Sequence, residues 1–123
     1  MIGKIYLCST HKIYKLPQDC IRLLITIKPL DKMKEKNIHW IKSLAPSKNL
    51  FFDMKLNKIN FDEYEKIYTK EMEHMVYSLN KIEELINNGK DIALICYCVD
   101  YRFCHRKILA NYFKKKDIQI IIK

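Results

Sequence analysis

The chain carries a continuous apolar run at residues 91–98, DIALICYC. An uninterrupted run of this length is typical of a central β-strand that is covered on both faces, as in parallel sheets. Residues 104–114 then place apolar side chains at helical spacing, and residues 118–122 form a β-branched run. A strand, a helix and a strand in this order predict a right-handed parallel crossover, with residues 91–98 in the middle of the sheet.

Shorter patterns upstream predict further elements. Residues 4–8 and 21–27 are rich in Ile, Leu and Tyr and predict two more buried strands. A long helix is predicted to begin at a capping box at residues 60–63 and to end at residues 88–89, with room for a break near residues 77–80. Together these patterns predict an α/β domain with a small, mostly parallel sheet of about four strands flanked by helices.

Two segments in the first half of the chain are less regular. Residues 31–42 are too charged for an assignment, although Ile38, Trp40 and Ile41 are expected to contribute to packing. Residues 45–47 predict a turn into a short helix, with Pro46 near its first position.

Length and composition describe a globular chain. The 123 residues match the common size of one domain, and 49% hydrophobic and 30% charged residues exclude the disordered, collagen-like and low-complexity classes. The longest apolar runs are far shorter than the roughly 20 residues that span a bilayer, and we expect no signal peptide. The five cysteines, an odd number, are expected to stay reduced. We therefore expect a single domain over residues 1–123, cytoplasmic and without a membrane partner.

The formal net charge of +9 raises the hypothesis of a polyanionic partner, because Lys and Arg neutralise phosphates and release counterions from nucleic acid. Lys supplies most of the 23 basic residues, a bias that an AT-rich coding sequence also produces, so charge alone does not decide for nucleic acid. Acidic residues are concentrated in residues 62–84 and leave both ends of the chain basic. An anionic ligand is therefore expected to approach away from residues 62–84.

The turn after the central strand is the candidate site. Ligands of open α/β sheets bind outside the carboxyl ends of the strands, where helix N-termini present free N–H groups and partial positive charge. Residues 99–104 lie in such a place, flanked by Arg102 and Arg106, whose guanidinium groups match the oxygens of a phosphate or carboxylate. We expect an anion site there, with Arg106 exposed in the first helical turn. The alternative is that both arginines are solvated or pair with acidic residues.

Cys104 is the candidate catalytic residue. It is predicted at or near the first helical turn, where the helix dipole, Arg102 and Arg106 favour the thiolate and lower the pKa. His105 is expected to hydrogen-bond or pack rather than to act as the base, because adjacent helical residues point about 100° apart. A base would then have to be another histidine that the fold brings in: His11, His39 or His74.

Cysteines near the strand end raise a metal alternative. Cys96, Cys98, Cys104 and His105 are ligands of the kind that tetrahedral zinc prefers. Their spacing is not one of the usual zinc motifs, and the central strand is better explained as core. We therefore expect no metal and no other cofactor, and Cys96, like Cys8 in another buried strand, should stay protonated.

Two segments carry a family resemblance. Leu94-Ile95-Cys96-Tyr97 followed by residues 103–109, FCHRKIL, resembles the signature of the uncharacterised DUF 488 family, in which a strand ending in Leu-Cys-Tyr leads to Cys-His-Arg and a helix. Residues 4–6, 44–47 and 64–71 also resemble family positions, in the expected order. Members occur in bacteria and phages, and this Lys- and Ile-rich chain resembles the phage or low-GC bacterial branch.

The resemblance implies a Rossmann-like three-layer domain and marks Cys104, His105 and Arg106 as the site, without an established activity to transfer. The chain departs from the family in two places. Cys98 occupies a position that is often acidic in relatives, which weakens any scheme that needs a carboxylate there. Some branches carry a Trp-Pro-Arg-Gly segment after the second strand, where this chain has residues 28–31, KPLD, so the ligand of that segment is not expected.

Three functions remain open from the sequence. The first is binding, processing or sequestration of a nucleotide-like, phosphate-bearing small molecule, in host nucleotide signalling if the protein is phage-borne. Its expected contacts are Arg102, Arg106 and the helix N-terminus on the phosphate, an aromatic residue near a base, and the thiols and histidine of the turn: Tyr6, Tyr97, Cys98, Cys104 and His105. The second is a Cys104-dependent enzyme acting on nucleosides or nucleotides. The third is a nucleic-acid-binding accessory protein. The sequence predicts no oligomeric state.

Overall fold

Parallel strands form the sheet. The computed structural model of the chain describes residues 2–34, 36–98 and 100–123. Within these residues the strands are β1 (Ile5–Ser9), β2 (Ile21–Leu24), β3 (Ile38–Trp40), β4 (Ile92–Cys96) and β5 (Ile120–Ile122). Their order across the sheet is β3-β2-β4-β1-β5, and every neighbouring pair is parallel. The predicted α/β class with a parallel sheet is confirmed.

Helices cover one face of the sheet. The α-helices of the described residues are α1 (Lys48–Lys55), α2 (Phe61–Glu71), α3 (Val76–Asn87) and α4 (His105–Lys114), and none of them is long and apolar enough to span a membrane. They pack against alternate strand residues such as Leu7 and Leu94. The other strand residues, including Cys8 and Ile95, pack with Ile13 of the 3₁₀ segment Thr10–Lys15 on the opposite face. A sheet covered on both faces gives the Rossmann-like three-layer fold.

Strand β4 lies at the centre of the sheet, as predicted. Leu94 aligns with Leu7 of β1 on one side and with Leu23 of β2 on the other. All five β4 residues are buried, which explains the uninterrupted apolar run. Helix α4 follows, and the chain returns as β5 beside β1, so the predicted parallel crossover is also confirmed.

The sheet has one more strand than the four predicted. Strand β3 lies within residues 31–42, the charged segment that gave no strand signal. It pairs only with β2 at the edge of the sheet, and of its three side chains only Ile38 is buried. A short edge strand therefore carries almost no apolar pattern. Its position is supported by Trp40, whose Nε1–H donates to the Thr26 carbonyl oxygen at 2.8 Å.

The long helix predicted after residue 60 is broken, but not where the sequence analysis placed the break. Asn60 and Glu63 form the predicted capping box at the start of α2. The break is the 3₁₀ turn Met72–His74, rather than residues 77–80. In 3₁₀ geometry side chains three residues apart eclipse one another, which lets Met72 and Met75 both enter the core.

The start of α1 is tied to the end of α2. Ser47 is the N-cap of α1, so Pro46 lies just before the cap and two residues before Lys48, the first helical residue, near the predicted position. The Ser47 side chain accepts from the Leu50 amide at 3.3 Å. The amide and hydroxyl of Ser47 both donate to the Glu71 carboxylate, at 2.9 Å and 2.6 Å. These bonds hold α1 at the carboxyl edge of the sheet.

Tyr68 links α2 to the segment before α1. Its buried hydroxyl donates to the Leu44 carbonyl oxygen at 2.7 Å. Because Tyr68→Phe leaves that buried carbonyl without its partner, the free energy of unfolding should fall by about 1–3 kcal/mol in urea denaturation. Tyr14→Phe is the matched control at a tyrosine that is 79% exposed, and it should change stability by less than about 0.5 kcal/mol. Equal effects of the two substitutions would show that the Tyr68 bond contributes nothing.

Candidate functional site

A cavity of about 600 Å³ opens at the carboxyl edge of the sheet. It lies between residues 26–28 after β2, residues 96–98 at the end of β4, helix α1, and the first turn of α4. This is the edge at which parallel α/β sheets bind their ligands. We refer to it as the large cavity.

Aromatic side chains form much of the wall of the large cavity: Phe51, Phe52, Tyr64, Tyr97 and Phe103. Phe103 is 59% exposed and Phe52 50%, and adjoining exposed apolar side chains mark binding surfaces in soluble proteins. The Tyr97 hydroxyl donates to the Pro29 carbonyl oxygen at 2.9 Å, which fixes this ring between the ends of β4 and β2. The wall therefore offers flat apolar surfaces held by the sheet and by α1.

The charge of the large cavity is positive. Lys28, Lys48 and Lys55 line it, and all three are exposed. None of the lining residues that the structure describes is acidic. The cavity therefore favours an anionic ligand over a cationic one.

Sulfur and nitrogen atoms form the floor of the large cavity. The Cys104 Sγ atom lies 3.5 Å from Cys96 Sγ and 3.5 Å from His105 Nδ1. The other ring nitrogen of His105, Nε2, is 2.6 Å from the Ile25 carbonyl oxygen. Since a carbonyl only accepts, Nε2 carries the hydrogen and donates it, and the lone pair of Nδ1 faces Cys104.

The reason for not pairing His105 with Cys104, that adjacent helical residues point about 100° apart, does not hold here. Cys104 is the N-cap of α4, with extended backbone at φ −131° and ψ 152°, and only His105 begins the helix. The angular rule for neighbouring helical residues does not apply across an N-cap. His105, and not one of the other three histidines, is the ring that lies beside the thiol.

The fold also brings together the groups that the spacing argument judged unsuited to a metal. One donor atom from each of Cys96, Cys104 and His105 lies within 4.8 Å of the other two, and all three residues are buried. They come from the last residue of β4 and from the cap and first residue of α4. Their spacing in the sequence therefore does not describe their arrangement in the structure, because the strand end and the helix start meet in space.

The pKa of the Cys104 thiol and the pKa values of the neighbouring thiols shift in opposite directions. The thiols of Cys96 and Cys98, which hydrogen-bond to the Cys104 sulfur, and the nearby His105 hold the pKa of Cys104 well below its usual range despite burial. The lowered pKa was predicted, but its largest causes are these neighbours and not the two arginines. Hydrogen bonding with Cys104 raises the pKa of Cys98 to about 11 and raises that of Cys96 further. Burial raises the pKa of Cys8, so the prediction for the strand thiols is confirmed.

Arg102 does not join Arg106 on a common anion. Its Nε and Nη2 atoms donate to the Asp100 carboxylate, at 3.0 Å and 2.8 Å, and its side chain is 67% exposed. The alternative reading of Arg102, a solvated ion pair, fits this arrangement, although the acid is Asp100 and not a residue of the acidic helix. Val99, the first residue of the predicted site segment, lies outside the described residues.

Arg106 is buried, contrary to the expectation of an exposed first-turn arginine. It is only 2% exposed, and its Nη2 donates to the Cys98 carbonyl oxygen at 2.6 Å. It faces a smaller cavity of about 340 Å³, shared with Ser9 and Lys12, and not the large one. Among the described residues, the buried Arg106 Nε and Ser9 Oγ have no hydrogen-bond partner.

The structure thus divides the predicted ligand contacts. Tyr97, Cys98, Cys104 and His105 line the large cavity, Arg106 lines the small one, and Tyr6 packs in the core on the opposite face of the sheet. Lys28 also lines the large cavity and was not predicted to do so. It follows β2, which is the strand next to β4. Because β2 and β4 are parallel neighbours, a residue that follows β2 lies at the same edge of the sheet as the residues that follow β4, and Lys28 could have been predicted from this. The contacts from α1, such as Phe51 and Lys48, had no sequence signal, because their place depends on how α1 packs.

Comparison with known families agrees with the signature at the end of β4. A family model described as the active DUF488-N3 subclade matches residues 5–117. The chain belongs to the DUF488 family. No curated protein and no solved structure matches it. The site of this DUF488 domain therefore has to be interpreted from its own residues.

The two arginines should differ in their effect on stability. Arg106→Ala removes the donor to the Cys98 carbonyl and should lower the free energy of unfolding by about 1–3 kcal/mol, measured by urea denaturation. Arg102→Ala is the matched control and should change stability little, because its ion pair is exposed to solvent. If Arg106→Ala unfolds no more easily than Arg102→Ala, the buried guanidinium costs as much in desolvation as its hydrogen bond contributes.

Proposed function

We propose that this DUF488 domain binds a nucleotide-like, phosphate-bearing small molecule in the large cavity. The observation that carries the proposal is the lining of that cavity: aromatic walls, three lysines and no acidic side chain among the described residues. A volume of about 600 Å³ is within the range of small-molecule and cofactor sites. The matched subclade is described as active, which supports a functional site in this domain.

The base or another flat ring would lie against the aromatic wall. Phe51, Phe103 and Tyr97 present ring surfaces around one space, and every nucleobase has a π-face that stacks on such rings. Two edge-to-face pairs, of Phe51 with Phe52 and of Phe61 with Phe103, hold these rings in place before a ligand arrives. Pre-organised aromatic side chains lower the conformational entropy that binding costs.

The phosphate would be held by the lysines at the mouth of the cavity and by the first turn of α4. Lys28, which follows β2, and Lys48 of α1 both line this space. The first N–H groups of α4 have no partner within the helix and carry partial positive charge. The phosphate contacts expected of Arg102 and Arg106 are thus replaced here by lysines, since neither arginine lines the large cavity.

Binding can be measured by calorimetric titration with nucleosides and with nucleoside mono-, di- and triphosphates. A phosphate-bearing compound should bind at least about tenfold more tightly than its nucleoside. Phe103→Ala should weaken that binding by about tenfold or more, the scale of one stacked base. Lys48→Gln should weaken it and reduce its dependence on salt.

Matched control variants lie outside the cavity. Tyr77→Ala and Lys66→Gln remove an aromatic ring and a charge from exposed positions, and they should leave the affinity unchanged. If no phosphate-bearing compound binds, or if the controls weaken binding as much as the cavity variants do, the proposal is wrong. Binding of oligonucleotides alone, with a steep salt dependence, would favour a nucleic-acid-binding accessory protein instead.

A second candidate function is thiol-dependent catalysis on nucleosides or nucleotides. The contact of 3.5 Å between Cys104 Sγ and His105 Nδ1 at the cavity floor favours it, because it pairs a nucleophile with a base that the Ile25 carbonyl orients. In such a step Sγ forms a bond to an electrophilic carbon, and the leaving group departs with the electron pair of the bond that breaks. His105 Nδ1 takes the thiol proton and returns it to the leaving group.

Product analysis tests this second function. Incubation with nucleosides and nucleotides should give a changed product and a mass increase on Cys104 in trapped samples. Cys104→Ser should abolish both, while Cys20→Ser, at a buried cysteine outside the cavity, should keep both. Unchanged substrates and an unmodified Cys104 would leave the domain as a binding protein.

A further inference from the structure

We propose that Cys96, Cys104 and His105 bind one zinc ion, or a metal ion of similar softness, at the floor of the large cavity. The three ligands are Cys96 Sγ, Cys104 Sγ and His105 Nδ1. The fourth position faces the cavity. The inference does not depend on which small molecule the cavity takes, but it excludes the thiol-dependent function, because Sγ and Nδ1 cannot act as nucleophile and base while they bind a metal ion.

The distances between the donor atoms match those of a tetrahedral site. Metal–sulfur bonds of about 2.3 Å and metal–nitrogen bonds of about 2.0–2.1 Å, at tetrahedral angles, separate neighbouring ligand atoms by about 3.5–3.8 Å. The observed separations are 3.5 Å from Cys104 Sγ to Cys96 Sγ and 3.5 Å from Cys104 Sγ to His105 Nδ1. All three donor atoms lie within 4.8 Å of one another. Two of the three separations therefore match a tetrahedral site, and the third lies within 4.8 Å.

The orientation of His105 is a second, independent observation. Histidines that bind metals commonly donate their other ring N–H to a backbone carbonyl or carboxylate, which fixes the tautomer and the ring. Here Nε2–H donates to the Ile25 carbonyl oxygen at 2.6 Å and leaves the Nδ1 lone pair towards the two sulfurs. A histidine that only filled space in the core would not need both nitrogens placed in this way.

The chain segments that hold the ligands are rigid. Cys96 ends the central strand, Cys104 caps α4, and Ile25, the partner of His105, follows β2 and donates its amide to the Ile95 carbonyl oxygen at 3.0 Å. All three ligand residues are at most 4% exposed. A buried site on strand and helix ends keeps its geometry without a ligand, as metal sites require.

The fourth position is open to a ligand. Cys98 is exposed and lines the same cavity, but its sulfur is not part of the cluster formed by the other three donors. Three protein ligands with one exchangeable position are the pattern of zinc sites that act on bound molecules, whereas closed sites of four protein ligands are structural. The proposed site therefore has the form of one that contacts what the cavity binds.

Cobalt and zinc titrations test the proposal. The protein is reduced, freed of metal with a chelator, and titrated with Co²⁺ while absorption is followed. One equivalent should give the thiolate charge-transfer band and the visible bands of a tetrahedral site, and Zn²⁺ should displace it. X-ray absorption of the zinc-loaded protein should show two sulfur ligands at about 2.3 Å and at least one nitrogen ligand. No bands, or a shell of oxygen ligands only, would overturn the proposal.

Variants assign the ligands. Cys104→Ser and His105→Gln should each weaken Co²⁺ binding by at least about tenfold. Cys20→Ser is the matched buried control, and Cys98→Ser should also keep one equivalent of Co²⁺, because three ligands remain. If Cys20→Ser lowers the affinity as much as Cys104→Ser, the bound metal lies elsewhere. The X-ray absorption result on the unaltered protein decides the matter even if a ligand variant fails to fold.

Discussion

The central position of β4 is the constraint on which the rest of the structure depends. Strand β4 pairs with β1 on one side and with β2 on the other, and its side chains are buried on both faces. It cannot slip by one residue without exchanging the side chains that face the helices with those that face the opposite layer. The carboxyl end of β4 is thereby fixed, and so is Cys96. The chain then makes a 3₁₀ turn at Tyr101–Phe103 and enters α4, so the side chains of the candidate site lie where the most constrained strand ends.

Arg106 joins this strand end to α4. Its guanidinium donates to the Cys98 carbonyl, and hydrogen bonds from charged donors are among the stronger ones in proteins. The Cys-His-Arg signature reads as one site in sequence, yet the structure divides it between two cavities. Cys104 and His105 face the large cavity, and Arg106 faces the small one, where its Nε and Ser9 Oγ lack partners among the described residues. Within α4, successive side chains turn by about 100°, so His105 and Arg106 face different cavities, whereas the N-cap Cys104 shares the cavity of His105.

The sequence predicted those strands and helices whose buried side chains form an apolar run or recur at helical spacing. The run at residues 91–98 predicted β4, and helical spacing with a following β-branched run predicted α4 and β5. Strand β3 was missed because it is paired on one side only and buries little more than Ile38. The residues of the candidate site were predicted from their place after β4, but the directions of their side chains were not. The argument against a Cys104–His105 pair assumed ideal helix geometry, which does not hold at an N-cap, and Arg106 was expected to be exposed although it is buried.

Charge connects the proposed metal ion to the proposed ligand. A Cys104 thiolate buried at the floor of the cavity would repel a phosphate and would be costly without a compensating charge. With Cys96 and Cys104 bound to a divalent cation the floor carries no net charge, because the two negative charges are cancelled. The attraction for an anion then comes from Lys28 and Lys48 at the mouth. An oxygen or ring nitrogen of the ligand can meanwhile reach the open coordination position. A metal at the floor would thus remove the negative charge that opposes phosphate binding in the same cavity, and the lining lysines would supply the attraction.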